Sequence, residues 1–148
     1  MKRPGLAQAA VEPLIRSGIR TEIHFLRGVS NREVPIWLNA SDVVLITSLH
    51  EGSPTIVKEA LACNIPVVSV DVGDVAERIR GIEGCYIASP EADDLARKLE
   101  RVRSGPRRIL GRATVQALSL ESIARRLHEV YLEAAKAPAA GERAAEAV

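Results

Sequence analysis

The sequence predicts an α/β fold in which a parallel β-sheet is flanked by helices. Short apolar runs alternate with segments of helical periodicity, which is the pattern of successive βαβ units. The run at residues 42–47 shows little alternation of apolar and polar side chains, as expected for a strand that is covered on both faces. A second such run follows after one helix. The four strands are expected at residues 22–27, 42–47, 66–71 and 85–88.

The first part of the chain is predicted to contain two helices and two strands. Residues 7–17 carry apolar side chains on one helical face, and Gly18 ends that helix. Residues 22–27 form a short strand with apolar side chains at its centre. Residues 30–33, Ser-Asn-Arg-Glu, have the form of a capping box and open a short helix before the strand at residues 42–47.

The central segment is predicted to join two buried strands through one helix. Ser53 is expected to cap this helix, with Pro54 as its first residue. The helix runs to Cys63, and Asn64 is a residue that tolerates the left-handed conformation needed just past a helix end. The strand at residues 66–71 follows, so the order is strand, loop, helix, strand.

The last part of the chain is predicted to be mostly helical. Asp74, with Glu77 three residues later, marks a helix start, and an amphipathic helix begins at Ser89 after the last strand. Two more helices are expected at residues 107–117 and 120–135. Residues 1–136 are thus interpreted as one domain, and residues 137–148, rich in Ala and Glu, as a disordered tail.

Composition and charge exclude several classes of function. A hydrophobic fraction of 47% suits a globular protein with a core, and a net charge of +1 gives no broad field that would attract nucleic acid. No apolar run approaches the ~20 residues needed to cross a bilayer, so a cytoplasmic protein is expected. Cys63 and Cys85 lack the spacing of a metal site or redox pair. We interpret them as small core residues, with a reactive thiol as the alternative.

Two glutamates bracket the most informative segment of the chain. Glu51 lies in the loop after the strand at residues 42–47, and Glu59 lies on the helix that follows. Ligands on parallel sheets bind at the carboxyl ends of the strands, so this loop and the helix start lie where a ligand is expected.

This segment resembles the C-terminal, donor-binding domain of retaining glycosyltransferases of the GT-B fold, family 4 (group 1). The subtype motif Glu-Gly-Ser-Pro…Val-Lys-Glu-Ala is similar to that of teichuronic-acid and related polysaccharide glycosyltransferases. The match covers residues 18–99 and implies a Rossmann-like sheet. The resemblance is carried by Glu51-Gly52-x-Pro54, Glu59-Ala60-Leu61-Ala62, Pro66-Val67-Val68 and Gly73-x-x-x-Glu77.

The resemblance implies a role for each residue of the motif. Glu59 is expected to accept hydrogen bonds from the ribose hydroxyls of a nucleotide-sugar, and Glu51 is expected to approach the donor sugar and act in catalysis. The start of the helix offers amide donors and a positive dipole end for the diphosphate. The diphosphate cradle is expected at Gly52, Ser53, Thr55 and Ile56. No metal and no cofactor besides the donor substrate is implied.

The expected function is transfer of a hexosyl group from a nucleotide-diphospho-sugar to a glycan or lipid-linked acceptor with retention. Plainer interpretations remain open, because Glu51 is also explained as a solvated loop carboxylate and Glu59 as an ordinary surface residue. In a second interpretation, the chain is a non-catalytic remnant or subunit that binds nucleotide-sugar only with a partner chain. An unrelated nucleotide-binding or receiver-like α/β module is the third alternative.

Part of the family pattern has no match in this sequence. The resemblance implies an N-terminal acceptor domain and a Gly-Arg…Glu-Lys-Gly segment, so we expect an N-terminally truncated chain that needs a partner domain or chain. In the strand order 3-2-1-4-5-6 the two unmatched strands lie between residues 22–27 and 42–47. Apolar surface on Val43, Leu45, Val67 and the last helix is then expected to lack cover. Any association with the inner face of the membrane is expected to occur through the missing N-terminal half.

Overall fold

The computed structural model describes residues 2–136 and contains a parallel sheet with helices around it. The chain divides into two compact units, Met1–Val115 and a second one that begins at Gln116. The elements of the first unit are α1 (Pro4–Arg16), α2 (Val34–Ala40), β1 (Val44–Ile46), α3 (Thr55–Ala62), β2 (Val67–Val70), α4 (Val75–Arg78), β3 (Tyr86–Ala88), α5 (Ala92–Ser104) and α6 (Arg112–Val115). The second unit contains a 3₁₀ turn at Gln116–Leu118 and the helix α7 (Leu120–Lys136).

The sheet has the order β1-β2-β3, and both pairings are parallel. Val44 lies opposite Val67, and Val68 lies opposite Tyr86. The prediction of an α/β fold with a parallel sheet is therefore confirmed, with three strands rather than four in the described residues. Asn64 has a φ of 57°, as predicted for the residue that turns the chain between α3 and β2.

The core lies on both sides of the central strand. β2 is buried at all four of its residues, and α3 and α5 both pack on it. Leu61, Ile65 and Leu95 have no exposed surface. The expectation that Val67 lacks cover is wrong, because Val67 lies on the central strand and is fully buried. Removing such apolar surface from water is the main source of stability in a domain of this kind.

The predicted strand at residues 22–27 is wrong, since this segment has no regular structure. Within the described chain, residues 20–29 form no backbone–backbone hydrogen bond. A strand is a paired state, and alternating side chains alone do not hold it without a neighbour. The segment lies across an open cavity of about 1160 Å³ from β1.

The predicted helix at residues 107–117 is also wrong in extent, because regular α-helix is confined to Arg112–Val115. The amide of Ile109 donates to the carbonyl oxygen of Asn64 at 3.0 Å, and the amide of Arg112 donates to the Asn64 side-chain oxygen at 2.9 Å. These bonds to the turn after α3 replace the intrahelical ones, so tertiary contacts override the local preference. The other predicted helices are present, with ends shifted by a few residues.

The second unit is represented by α7, which is amphipathic. Its apolar side chains recur at helical spacing, yet no residue of α7 is buried within the described part of the chain. Ile123, Leu127, Val130 and Tyr131 are all exposed. The predicted disordered tail at residues 137–148 lies outside the described residues. No helix among the described residues combines the length and apolar character required to cross a bilayer.

Candidate functional site

The loops that follow β1 and β2 are in direct contact at the carboxyl ends of the strands. Gly73 has a φ of 57°, and a Cβ atom added there would lie 2.9 Å from the Glu51 carbonyl oxygen and closer still to that of Gly52. Only glycine combines this left-handed backbone with so close an approach. The loop that carries Glu51 is therefore fixed against the loop after β2.

A hydrogen-bond network joins the same two loops through side chains. The Ser53 hydroxyl donates to Asp74 Oδ2 at 2.6 Å, and Arg78 Nε donates to the same oxygen at 2.9 Å. The prediction that Ser53 caps α3 is wrong, because Pro54 occupies the capping position and no side chain caps the helix. Ser53 instead binds a carboxylate, which is a stronger acceptor partner than a neutral group.

Asp74 marks the start of α4 as predicted, but its carboxylate does not bind the helix amides. The hydrogen bond from Ser53 is the main cause that lowers the pKa of Asp74, and Arg78 and Lys58 lower it further. Desolvation acts in the opposite direction and is outweighed. The network therefore favours the charged form of Asp74.

The lowered pKa predicts a pH dependence of stability that is specific to Asp74. A carboxyl group with a lowered pKa in the folded state stabilises the fold above its unfolded pKa of about 4, and this contribution is lost as pH falls through the folded value. We expect the difference in unfolding free energy between wild type and Asp74→Asn to shrink as pH falls from 6 to below about 4. Urea unfolding across this range measures it.

Ser53→Ala provides a second test of the same bond. It removes the hydrogen bond that contributes most to the lowered pKa of Asp74, so its deficit in unfolding free energy relative to wild type should also shrink as pH falls. A wild-type advantage over Asp74→Asn that persists undiminished at pH 3 would contradict the assigned role of the Ser53–Asp74 bond.

The first turn of α3 offers free amide donors. The amide of Val57 donates to the Pro54 carbonyl at 3.1 Å, whereas those of Ser53, Thr55 and Ile56 have no backbone acceptor among residues 2–136. Ser53 and Thr55 are exposed and Ile56 is half-buried. Free amides together with the helix dipole form a site that favours a negatively charged group.

The two glutamates lie on different parts of this site. Glu51 lines the cavity together with Thr55 and Ile56, and it is half-buried. Glu59 does not line that cavity, and it forms no ion pair in the described part of the chain. Glu59 is four residues beyond Thr55 on α3, so the two side chains share one helix face. Gly52 and Ser53 are exposed beside the cavity without lining it.

Two basic residues before α1, for which no role is predicted from the sequence, lie at this site in the structure. Arg3 Nε donates to the Thr47 carbonyl at 2.7 Å, and the Thr47 hydroxyl donates to the Arg3 carbonyl at 2.9 Å. Lys2 and Arg3 line the same cavity as Glu51. Apart from their two positive charges, the sequence around these residues does not indicate that they lie at the cavity. Their placement makes this side of the cavity cationic.

The cysteines contribute little to the chemistry of the site. Burial raises the pKa of the Cys85 thiol, which disfavours the reactive thiolate. Cys63 is partly buried and accepts a weak contact from the Asn39 amide at 3.7 Å. Within residues 2–136, no group of three His, Cys, Asp or Glu side chains converges as a metal site would require.

Comparison with known proteins places this site in a family context. Residues 3–104 match the family described as "Glycosyl transferases group 1". A Bacillus subtilis protein named as a teichuronic acid biosynthesis glycosyltransferase is 34% identical over 87 residues, which are 58% of this chain and 22% of that protein. An MMP α-(1→4)-mannosyltransferase of Mycolicibacterium hassiacum is 30% identical over 125 residues, which are 79% of this chain and 30% of that protein.

Among solved structures, sucrose-phosphate synthase from Thermosynechococcus elongatus is similar in fold. It matches with a TM-score of 0.67 and 25% sequence identity over 86% of this chain and 34% of the synthase. The chain thus spans between 22% and 34% of the lengths of these three proteins.

Proposed function

Because the chain belongs to the group 1 glycosyltransferases, we propose that it is the donor-binding portion of a retaining family 4 hexosyltransferase. The reaction is transfer of a hexosyl group from a nucleotide-diphospho-sugar to a glycan or lipid-linked acceptor. The named relatives, one in teichuronic acid biosynthesis and one a mannosyltransferase, support a glycan or polysaccharide product. The chain needs no bound cofactor in this proposal, because the donor itself carries the leaving group.

The observation that carries the proposal is the contact between the two loops at the carboxyl ends of β1 and β2, next to free amides of α3. A ligand with a diphosphate fits a helix start whose amides at Thr55 and Ile56 have no backbone acceptor in the described chain. Lys2 and Arg3 add positive charge to the cavity at this point. The diphosphate of the donor is therefore assigned to this end of the cavity, with Gly52 and Ser53 at its rim.

The two glutamates take the remaining parts of the donor. Glu59 lies about one turn, or ~6 Å along the axis, beyond Thr55 on the same face of α3, which suits the ribose attached to the diphosphate. Its carboxylate accepts hydrogen bonds from both ribose hydroxyls. Glu51 lines the cavity together with the start of the helix. In this proposal it stabilises positive charge that develops on the sugar during transfer.

Replacing Glu59 with glutamine tests the proposed ribose contact. We expect Glu59→Gln to weaken binding of UDP-glucose or GDP-mannose, whichever the wild-type chain binds, by about 10- to 150-fold, because an acceptor of two hydrogen bonds loses its charge. Isothermal titration calorimetry of the full chain measures this. Glu100→Gln, an exposed glutamate on α5, is the matched control and should bind like wild type. Equal affinities for Glu59→Gln and Glu100→Gln would overturn the assignment.

A second candidate is a non-catalytic subunit that binds nucleotide-sugar only together with a partner chain. It is favoured by the unpaired segment at residues 20–29, which leaves the described sheet without a neighbour beyond β1. Transfer activity, assayed with and without the product of the neighbouring upstream reading frame, separates the two candidates. Sugar transfer only with that product indicates a split enzyme, and nucleotide binding without transfer indicates the subunit.

A further inference from the structure

Ser48, just past the end of β1, is a buried polar residue whose hydroxyl has no partner among residues 2–136. Only 6% of its surface is exposed, and it lines the same cavity as Glu51. No side-chain oxygen or nitrogen of the described chain is both sealed from solvent and unbonded. The Ser48 hydroxyl therefore reaches an accessible surface, and for a residue buried to this degree that surface is the wall of the cavity.

The other two buried polar residues of the described chain are bonded within the fold. The Thr47 hydroxyl donates to the Arg3 carbonyl at 2.9 Å, and the Ser69 hydroxyl donates to the Val70 carbonyl at 2.7 Å. Buried hydroxyls are bonded in the large majority of cases, so an unbonded one requires an explanation. Packing of the fold explains Thr47 and Ser69 but not Ser48.

Arg3 brings a positive charge next to Ser48. Its Nε donates to the Thr47 carbonyl at 2.7 Å, and its Nη2 lies 3.5 Å from the Ser48 carbonyl. Its Nη1 has no acceptor within the described chain, and Arg3 forms no ion pair there. The guanidinium is thus held in place by backbone carbonyls, while its charge is not neutralised by a described carboxylate.

The start of α3 adds two more donors to the same cavity. Thr55 and Ile56 line it, and neither amide has a backbone acceptor among the described residues. Glu51 is the carboxylate at this end of the cavity, because Asp42 lies before β1 and Glu22 lies in the segment across from it. Donors from three separate parts of the chain therefore outnumber the acceptors here, which suits a ligand atom that can only accept.

We propose that Ser48 is a ligand-binding residue of this site, and that its hydroxyl donates a hydrogen bond to a phosphoryl oxygen. The same phosphoryl group contacts Arg3 and the amides of Thr55 and Ile56. A neutral sugar hydroxyl would satisfy Ser48 but would leave the charge of Arg3 without a partner. The identity of the rest of the ligand rests on the proposed function, whereas the Ser48 contact requires only a phosphoryl group.

Replacing Ser48 with alanine tests the contact. We expect Ser48→Ala to weaken binding of pyrophosphate, and of UDP-glucose or GDP-mannose, by about 10- to 100-fold, because a hydrogen bond to a charged oxygen is lost. Isothermal titration calorimetry of the full chain measures this. The urea midpoint should move by less than about 0.3 M, since the removed hydroxyl has no bond to lose within the described fold.

Ser69→Ala is the matched control and should give the opposite pattern. Ser69 is fully buried on β2, and its hydroxyl is bonded to the backbone. Its replacement should lower the urea midpoint by about 0.3–1 M and leave the affinity for pyrophosphate unchanged. A purely structural role for Ser48 would make the two variants behave alike.

Two results would overturn the inference. One is wild-type affinity for all three ligands in Ser48→Ala, and the other is a loss of stability in Ser48→Ala as large as that in Ser69→Ala. Nucleotide-sugar binding that depends on Glu59 but not on Ser48 would refute this inference alone. Pyrophosphate binding that depends on Ser48, without added affinity from a nucleoside and sugar, would support the inference and refute the proposed function. Absence of binding for every ligand would refute both.

Discussion

Gly73→Ala is expected to lower the free energy of unfolding by about 2–5 kcal/mol, the sum of two separate penalties. The backbone at Gly73 is left-handed, with a φ of 57°, which is unfavourable for any residue with a Cβ. The new methyl group would also overlap the Gly52 carbonyl oxygen and lie 2.9 Å from that of Glu51. Urea unfolding followed by circular dichroism measures the loss.

Gly81→Ala separates the two penalties. Gly81 has a similar φ of 73°, but nothing lies within 4 Å of an added Cβ. Its replacement should lower stability by only about 1–2 kcal/mol, the part due to backbone conformation. If Gly73→Ala and Gly81→Ala are equally destabilised, the contact between the two loops is not tight and does not fix the position of the Glu51 backbone.

Leu61→Ala is expected to lower the free energy of unfolding by about 3–5 kcal/mol. Leu61 lies on α3 with no exposed surface, so its truncation leaves a cavity in the core. A Cβ added to Gly111 would lie only 3.0 Å from Leu61 Cδ2, which shows how closely the segment before α6 packs on this side chain. Chemical unfolding at neutral pH measures the effect.

The matched control for this variant is Leu110→Ala. Leu110 is 89% exposed, and its truncation should change stability by no more than about 0.5 kcal/mol. A loss below about 1 kcal/mol for Leu61→Ala would mean that the site under α3 can collapse around the cavity, contrary to the close contact with Gly111.

The parts of the fold that the sequence predicted are those determined by neighbouring residues. The strand at 66–71 is apolar throughout, and it is found as the buried central strand Val67–Val70. Asn64 turns the chain because few other residues adopt a positive φ, and this preference is readable in a single position. The helix between Pro54 and Cys63 likewise ends and begins at residues with clear local preferences.

The parts that the sequence did not predict depend on distant partners. Residues 22–27 have the alternation of a strand, but alternation reports only which side chains are apolar and not whether a neighbour exists to accept hydrogen bonds. The sequence allows Ser53 to bond either to the helix amides or to a carboxylate further along the chain. In the structure its hydroxyl donates to Asp74, twenty-one residues later. Arg3 bonds to Thr47, which is forty-four residues away, and the sequence around Arg3 does not indicate this contact.

The close fit of Gly73 against the Glu51–Gly52 backbone has a consequence for the exchange of loops between members of this family. The loops after β1 and β2 have complementary shapes, with the missing side chain of one making room for the carbonyl of the other. We expect a chimera that imports only one of the two loops from a relative to create a clash or a gap at this contact. We expect a graft to fold without this conflict when residues 48–54 and 71–74 are exchanged together.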